Sequence, residues 1–364
     1  MSPRPSIPVL APLARVRGEL LALAGPVAPV RVAAVEAIGA VAAEDLVVGP
    51  WPGRATAMRA GFAVAAIETV GASPYAPATP SRLIAVAAGA PLPEGCDAVV
   101  PGEAVVEDFG VAALQQAVAP GENVRRVGED LAAASRPIVA GHRIGAAAAA
   151  IAATIGCGDP AIRRPRLAIV ATGDAAAGAG ARLEAVLAGL AVEIVVADVE
   201  AAAAADLHLL VGGPEIGGDD PALAALDRLG SRAGHGAALT GLESAAWGAI
   251  DGRPALVLPD RPEAAVIARL ALIEPLVAAL AGGPAVAAPI VGRLTRKLVS
   301  QVGMSEIALF AREPDAWRPL AVGTLPWSAL LAADAHAELP PESEGAAEGT
   351  SFAARPLTSP RSLP

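Results

Sequence analysis

Apolar and polar positions follow three rhythms along this chain. From about residue 8 to 48, apolar side chains recur at helical spacing with acids on one side, as in VAPVRVAAVEAIGAVAAEDLVV, and the turn-rich GPWPGRATAMRAGFAV follows. This predicts a helix and then a loop. Residues 50 to 145 carry short β-type runs (RLIAVAA, DAVVP, GVAAL) between turns and no long helical period, which predicts a small, mostly β region. Within it GAPLPEGCDAVVPGE, Gly89 to Glu103, fixes or frees φ at set points through its prolines and glycines, so it reads as a shaped loop, with AVVP as a short buried strand. Ala146 to Thr154 predicts a helix, and GCGDPAIRRPR a linker.

Beyond the linker, strands and helices alternate. RLAIVATGD reads as a buried strand, ARLEAVLAGL as an amphipathic helix, AVEIVVADV as a second strand and DLHLLVGGPEIGGDD as a third with a Gly-rich turn. PALAALDRLG predicts a helix, RPALVLP a strand, and the stretch from Pro262 towards Leu280 another helix. Such alternation predicts a doubly wound parallel α/β domain over roughly 163 to 282. LVSQVGMSEIALFARE and WRPLAV then read as strands of a small β domain.

At 364 residues the chain has room for about two to four domains. Its 54% hydrophobic content owes its excess mostly to alanine, and the longest apolar run, Ile144 to Gly156, falls short of the ~20 residues that cross a bilayer, so no transmembrane helix is expected. Prolines interrupt the N-terminus where an export signal needs an unbroken apolar core, so a cytoplasmic location is expected. A formal charge of −10 argues against nucleic acid. Cys96 and Cys157 have no metal-ligand spacing and read as buried thiols. Lys297 is the only lysine, so lysine-dependent chemistry has almost no source.

In an open α/β sheet, ligands sit beyond the carboxyl ends of the strands, where helix N-termini present free N–H groups to anions. Three turns fall there: Thr172-Gly173-Asp174; Gly212-Gly213 with Asp219-Asp220; and Pro259-Asp260-Arg261-Pro262. Together they predict a phosphate-bearing ligand, with helix capping as the competing role for Asp174 and Asp219. None has the spacing of a Walker loop or a dinucleotide fold. His142, His208, His235 and His336 lack ligand spacing and read as solvated or core residues.

Taken in order, GAPLPEGCDAVVPGE, GENVRRVGED (Gly121 to Asp130), AIVATGD, LLVGG and GRPALVLPDRP resemble the molybdopterin molybdenumtransferases, the MoeA and gephyrin E-domain proteins. The resemblance covers nearly the whole chain. It implies a multidomain α/β protein: a discontinuous N-terminal linker and helical domain (1–50 and 141–162), an inserted mostly β domain (51–140), a doubly wound parallel-sheet molybdopterin-binding domain (163–284), a small C-terminal β domain (285–340) and a partly disordered tail (341–364). It also implies a homodimer, molybdopterin or adenylyl-molybdopterin as ligand, and Mg²⁺ with carboxylates and lysines for molybdate insertion and AMP release. The ligand set it implies here is Asp130, Thr172, Gly173, Asp174, Gly212, Gly213, Asp219, Asp220, Pro259, Asp260, Arg261 and Pro262.

Departures from the pattern are concentrated in the chemistry. Where relatives read SAMDGYAV this chain reads AMRAGFAV, so the aspartate falls on Ala60, or on Arg59 with a gap. Ala88 stands where relatives have threonine, and Ala175 where a glutamate follows TGD. KPGKP corresponds approximately to Thr240 to Ala245, with Glu243 in place of a lysine; LPGNP has become LPDRP, and DSN has no counterpart. The expectation is a MoeA-like protein with a degenerate site and no assigned catalytic residue. It would handle cofactor, or scaffold a molybdoenzyme or another biosynthetic protein; an active transferase is the alternative. A purely structural module becomes the better reading if Arg261 and Glu243 fill the pocket.

Overall fold

In the computed structural model the described residues are 9–108, 110–172, 176–196, 204–212, 220–284 and 288–357. Gly173, Asp174, Gly213 and Asp219 lie outside them. The chain divides into two compact units, Asp45–Val139 with Ala150–Gly158, and the remaining segments Met1–Glu44, Ala140–Ala149 and Asp159–Pro364.

In the first of these, Gly61–Val64 is the central strand between Ile84–Val86 and Ala98–Val100, all antiparallel. Ala98, Val99 and Val100 are wholly buried, as the AVVP pattern predicts. The loop before them is held by its own backbone. Gly89 N–H donates to Ala57 O and Leu92 N–H to Ala55 O, both at 2.8 Å. Asp97 accepts from Ala66 N–H at 2.7 Å, and Gly89 and Gly95 take the left-handed φ values of 80° and 83° that its turns require. The composition of this loop therefore specifies a rigid path.

The larger unit opens with helix α1 (Leu13–Leu21), which buries Leu13, Val16 and Leu20. The helix expected over the following residues does not form. Residues 34–39 make turns, and Val30–Arg31 and Val41–Ala42 pair with Ala161–Arg163 as short strands. Pro26 and Pro29 remove helical N–H donors, Gly39 adopts φ 81°, and the branched Val30, Val32 and Val41 suit extended backbone.

The α/β domain holds a six-stranded sheet in the order Glu193–Val196, Arg166–Ala171, Leu207–Gly212, Arg253–Pro259, Ala246–Ile250, Gly230–His235. The first four are parallel, and the last two run antiparallel at one edge. The edge departs from the all-parallel expectation because Asp251-Gly252 forms a two-residue hairpin turn with φ 50° and 74°, reversing the chain between paired Ile250 and Arg253. After α2 (Ala146–Ile155), helices α3 (Ala176–Leu187) and α4 (Pro221–Leu229) belong to this domain. Asp220 caps α4 by accepting from Ala222 N–H at 2.8 Å, with Pro221 in the first helical turn.

One continuous helix runs Pro262–Ala281, as α5 (Pro262–Ala268), a π-helical turn (Arg269–Ile273) and α6 (Glu274–Ala281). It is 20 residues long, and 72% of its most apolar 18-residue stretch is buried. It is the core helix, packed with α1 and the sheet. Pro275 has no N–H to send back to Ala271 O, and Arg17 Nε of α1 donates to that carbonyl at 3.0 Å. Arg17 also pairs with Glu338.

Glu338 belongs to a closed five-stranded barrel of Ile290–Leu294, Ala316–Val322, Glu306–Glu313, Ala335–Leu339 and Ser351–Pro356. A short helix α7 (Trp327–Ala332) lies between two of its strands. Phe310 stacks inside against Phe352 and Trp317, with centroids at 5.3 Å and 6.4 Å. The tail expected from 341 onward is corrected here: Ser351–Pro356 pairs with both Ile290–Leu294 and Ala335–Leu339 and closes the barrel. Its Phe352 and Ala354 join the interior, and closure leaves no open edge.

His336 and Glu338 alternate with the inward Ala335, Ala337 and Leu339, so they face out of the barrel; His336 pairs in register with Leu309 of the core cluster. Its Nδ1 is buried without a hydrogen-bond partner among the described residues. Burial, with Arg355 and Arg269 adding to it, pushes this imidazole from its ordinary 6.5 down to about 4. Protonation therefore favours the unfolded chain. Stability is full above pH 6.5 and is lost as pH falls towards 4, by up to about 3 kcal/mol. His336→Gln should flatten this acid limb in urea midpoints measured from about pH 4 to 7; an unchanged limb would contradict it.

A second prediction concerns Gly212. A Cβ there would meet Asp220 Oδ1 at 2.3 Å and Ala222 Cβ at 2.5 Å. Gly212→Ala should push the cap off α4 and cost at least about 1 kcal/mol, read as a lower melting temperature. A variant as stable as wild type would show that the cap is not sterically coupled to this position.

Candidate functional site

The carboxyl ends of the parallel strands bring together most of the described candidate residues. Thr172 follows Arg166–Ala171, and both its backbone N–H and its Oγ1 donate to Val211 O, at 3.0 and 3.1 Å. Its hydroxyl is thus spent on the neighbouring strand. Asp260 N–H donates to Gly212 O at 3.1 Å, which ties the turn after Arg253–Pro259 to the end of Leu207–Gly212. Asp220 stands beside Gly212 with its carboxylate committed to the α4 cap.

Charge at this end is paired within the protein. Asp260, whose side chain is 18% exposed, forms an ion pair with Arg182 of α3. Sequence reading missed Arg182, whose partner lies 78 positions away. Its one local signal is Gly178, a turn earlier: a Cβ there would stand 2.7 Å from Arg182 Nη1, so the glycine lets the guanidinium fold back along the helix. Arg261 precedes Pro262 at the start of α5 and donates from Nη2 to Gly241 O at 3.0 Å. Glu243 accepts from Gly241 N–H with both oxygens, at 3.1 and 3.0 Å, so Arg261 and Glu243 hold one residue, Gly241, by its C=O and its N–H. The cleft between Arg182, Leu183, Val211, Pro259, Asp260 and Arg261 holds about 10 Å³, room for one water.

Asp130 belongs to the other unit, where its carboxylate lies 3.3 Å from Arg125 and its N–H donates to Trp51 O. That unit has its own open concavity of about 490 Å³, lined by Met58, Gly121, Val124, Arg126, Val127 and Glu129. It follows the GENVRRVGED segment. Arg59 forms a 3.0 Å ion pair with Glu103 at the end of the Gly89 to Glu103 loop. The Glu103 carboxyl is held below the ordinary carboxylate range by its own backbone N–H and then by Arg59.

Among the described residues, no three His, Cys, Asp or Glu side chains converge as a metal site. A hard divalent cation needs several free oxygens, and Asp220 and Asp260 are already committed. The described residues therefore do not fit Mg²⁺, and no step is routed through it. Cys96 has its thiol pushed up by burial, which disfavours the reactive thiolate. His208 is wholly buried in a central strand, in keeping with a core residue.

Comparison with known proteins gives these features a lineage. Residues 7–156 match the model of the MoeA N-terminal region, domains I and II. Molybdopterin molybdenumtransferase 2 of Mycobacterium tuberculosis is 31% identical over 143 residues, which cover 34% of this chain and 35% of that protein. The molybdopterin molybdenumtransferase of Haemophilus influenzae is 24% identical over 239 residues, 58% of this chain and 59% of that one. The chain thus spans about a third of the length of the first relative and under two thirds of the second. A molybdopterin biosynthesis MoeA protein from Pyrococcus horikoshii shares the fold with a TM-score of 0.70 at 22% identity, covering 96% of this chain and 100% of that one. The motifs, the matched region and the fold agree: residues 7–156 match the MoeA N-terminal region, and the chain has the fold of a MoeA protein.

Proposed function

We propose that this chain is a molybdopterin-binding protein of molybdenum cofactor biosynthesis, impaired in the transferase reaction and acting in cofactor handling or scaffolding. The match of residues 7–156 to the MoeA N-terminal region and the likeness to molybdopterin molybdenumtransferases support the first half. One observation carries the second: the described charged groups at the strand ends are engaged by other groups of the protein itself. Asp260 neutralises Arg182, Arg261 and Glu243 hold Gly241, and Asp220 caps α4.

Molybdate insertion into adenylyl-molybdopterin places negative charge on molybdate and on the phosphoanhydride, and both need preorganised cationic donors. With Lys297 the only lysine, such donors must be arginines. A guanidinium is a rigid fork that does not replace an ammonium without rearrangement. Arg261 remains the best-placed candidate to orient a phosphate, being 43% exposed at the cleft. The protein works in the cytoplasm as a homodimer, with a molybdoenzyme or another biosynthetic protein as its further partner.

Anaerobic calorimetric titration with molybdopterin and its adenylylated form should show binding, while molybdate-dependent AMP release stays at least ~10²-fold below that of an active relative. AMP release at the relative's rate would overturn the impairment. Absence of binding at high micromolar ligand would overturn cofactor handling. Light scattering should give the mass of a dimer, and a monodisperse monomer would contradict that part of the proposal.

A further inference from the structure

The Arg182–Asp260 pair closes the cleft at the strand ends, and this arrangement has a consequence for ligands. Two guanidiniums, from Arg182 and Arg261, line one cleft, which makes it a natural receptor for a phosphate-like oxyanion. The anion now in contact with Arg182 is the protein's own Asp260 carboxylate. That carboxylate is held in place from two directions. Its backbone N–H is bonded to Gly212 O, and Gly178 lets Arg182 reach back to meet it. About 10 Å³ remains, too little for a phosphate group.

We infer that Asp260 is a built-in competitor that occupies the anion position of Arg182, and that a phosphate ester binds this cleft only by displacing it. The inference rests on the reading above for its ligand class. It reverses the sign expected of Asp260: as a ligand-binding residue its loss weakens binding, and as an internal competitor its loss strengthens it. The tethered carboxylate never leaves the vicinity of the guanidinium, so it competes at a high effective concentration. Arg261 is less occluded. Its Nη2 is spent on Gly241 O and its Nη1 lies 3.8 Å from Glu263, a loose contact that leaves it able to turn towards an incoming anion.

The test uses the full chain and inorganic phosphate as probe, followed by calorimetry and by the Arg182 Nε resonance, in wild type, Asp260→Asn, Asp260→Gly, and Asp260→Gly combined with Arg182→Gln. Asp260→Asn keeps the side-chain volume and removes the charge, while Asp260→Gly also opens the space. Relief of an ion pair of this exposure should tighten phosphate binding by up to about fivefold in both single variants, more in the glycine variant. Adding Arg182→Gln should return it to the wild-type level. Binding as tight in wild type as in both single variants, or tight binding that survives Arg182→Gln, would overturn the inference. Molybdopterin titrated in parallel separates the two claims. Strong molybdopterin binding by wild type with no gain for phosphate on removing Asp260 sinks the competitor and spares the functional reading. A gain for phosphate with no molybdopterin binding by any form does the reverse.

Discussion

Ala271 O is the carbonyl on which the larger unit turns. Proline at 275 cannot bond it, and a carbonyl left bare in the protein interior costs about 1 to 3 kcal/mol. Arg17 supplies the missing donor, and its Nη2 reaches Glu338 of the barrel. One side chain thus joins α1, the core helix and the barrel wall. Two residues further along α1, Glu19 accepts from Trp247 Nε1 at 2.6 Å and so ties the same helix to the antiparallel edge of the sheet. With its middle fixed, the core helix presents its first residues, Arg261 and Pro262, at the strand ends in a defined position.

That position is where the sheet delivers its turns, and the chemistry there is that of a closed set of charges. A site prepared for an anionic substrate aims its donors at the positions where negative charge develops. Here Asp260 answers Arg182, and Arg261 is drawn towards the C=O of a loop residue, Gly241, whose N–H Glu243 holds. Each pairing is modest by itself, since groups this exposed are screened by water. Their joint effect is positional: the cations are aimed at protein atoms. Retention of the MoeA fold alongside this arrangement fits a protein kept for what it holds or meets.

Much of the fold was legible because burial on both faces writes itself as unbroken apolar runs. Leu167 to Val170 and Leu207 to Val211 are almost wholly buried, and both read directly as strands. The misreadings have local physical causes. Val30 to Val41 mimics a helical period, yet the prolines before it and Gly39 within it decide against one. The antiparallel edge, Gly230–His235 and Ala246–Ile250, was not read as strands, because GSRAGH carries no apolar run; only the Asp251-Gly252 turn signals it. The last barrel strand, SFAARP, is flanked by Pro, Ser and Glu, and only pairing with two distant strands makes it ordered. At the site, the turns were found from glycines and acids, whereas Arg182 carries no motif. Its role exists only because α3 and the turn at Asp260 meet in space.

The measurement that tests the account most directly is a crystal structure of the unliganded protein grown with phosphate in the mother liquor. The account predicts the Asp260 carboxylate against the Arg182 guanidinium and Arg261 on Gly241 O, with phosphate on Arg182 only in molecules where Asp260 has been displaced. A phosphate seated on Arg182 while Asp260 keeps its contact, or Asp260 turned out to solvent with no anion on Arg182, would contradict it.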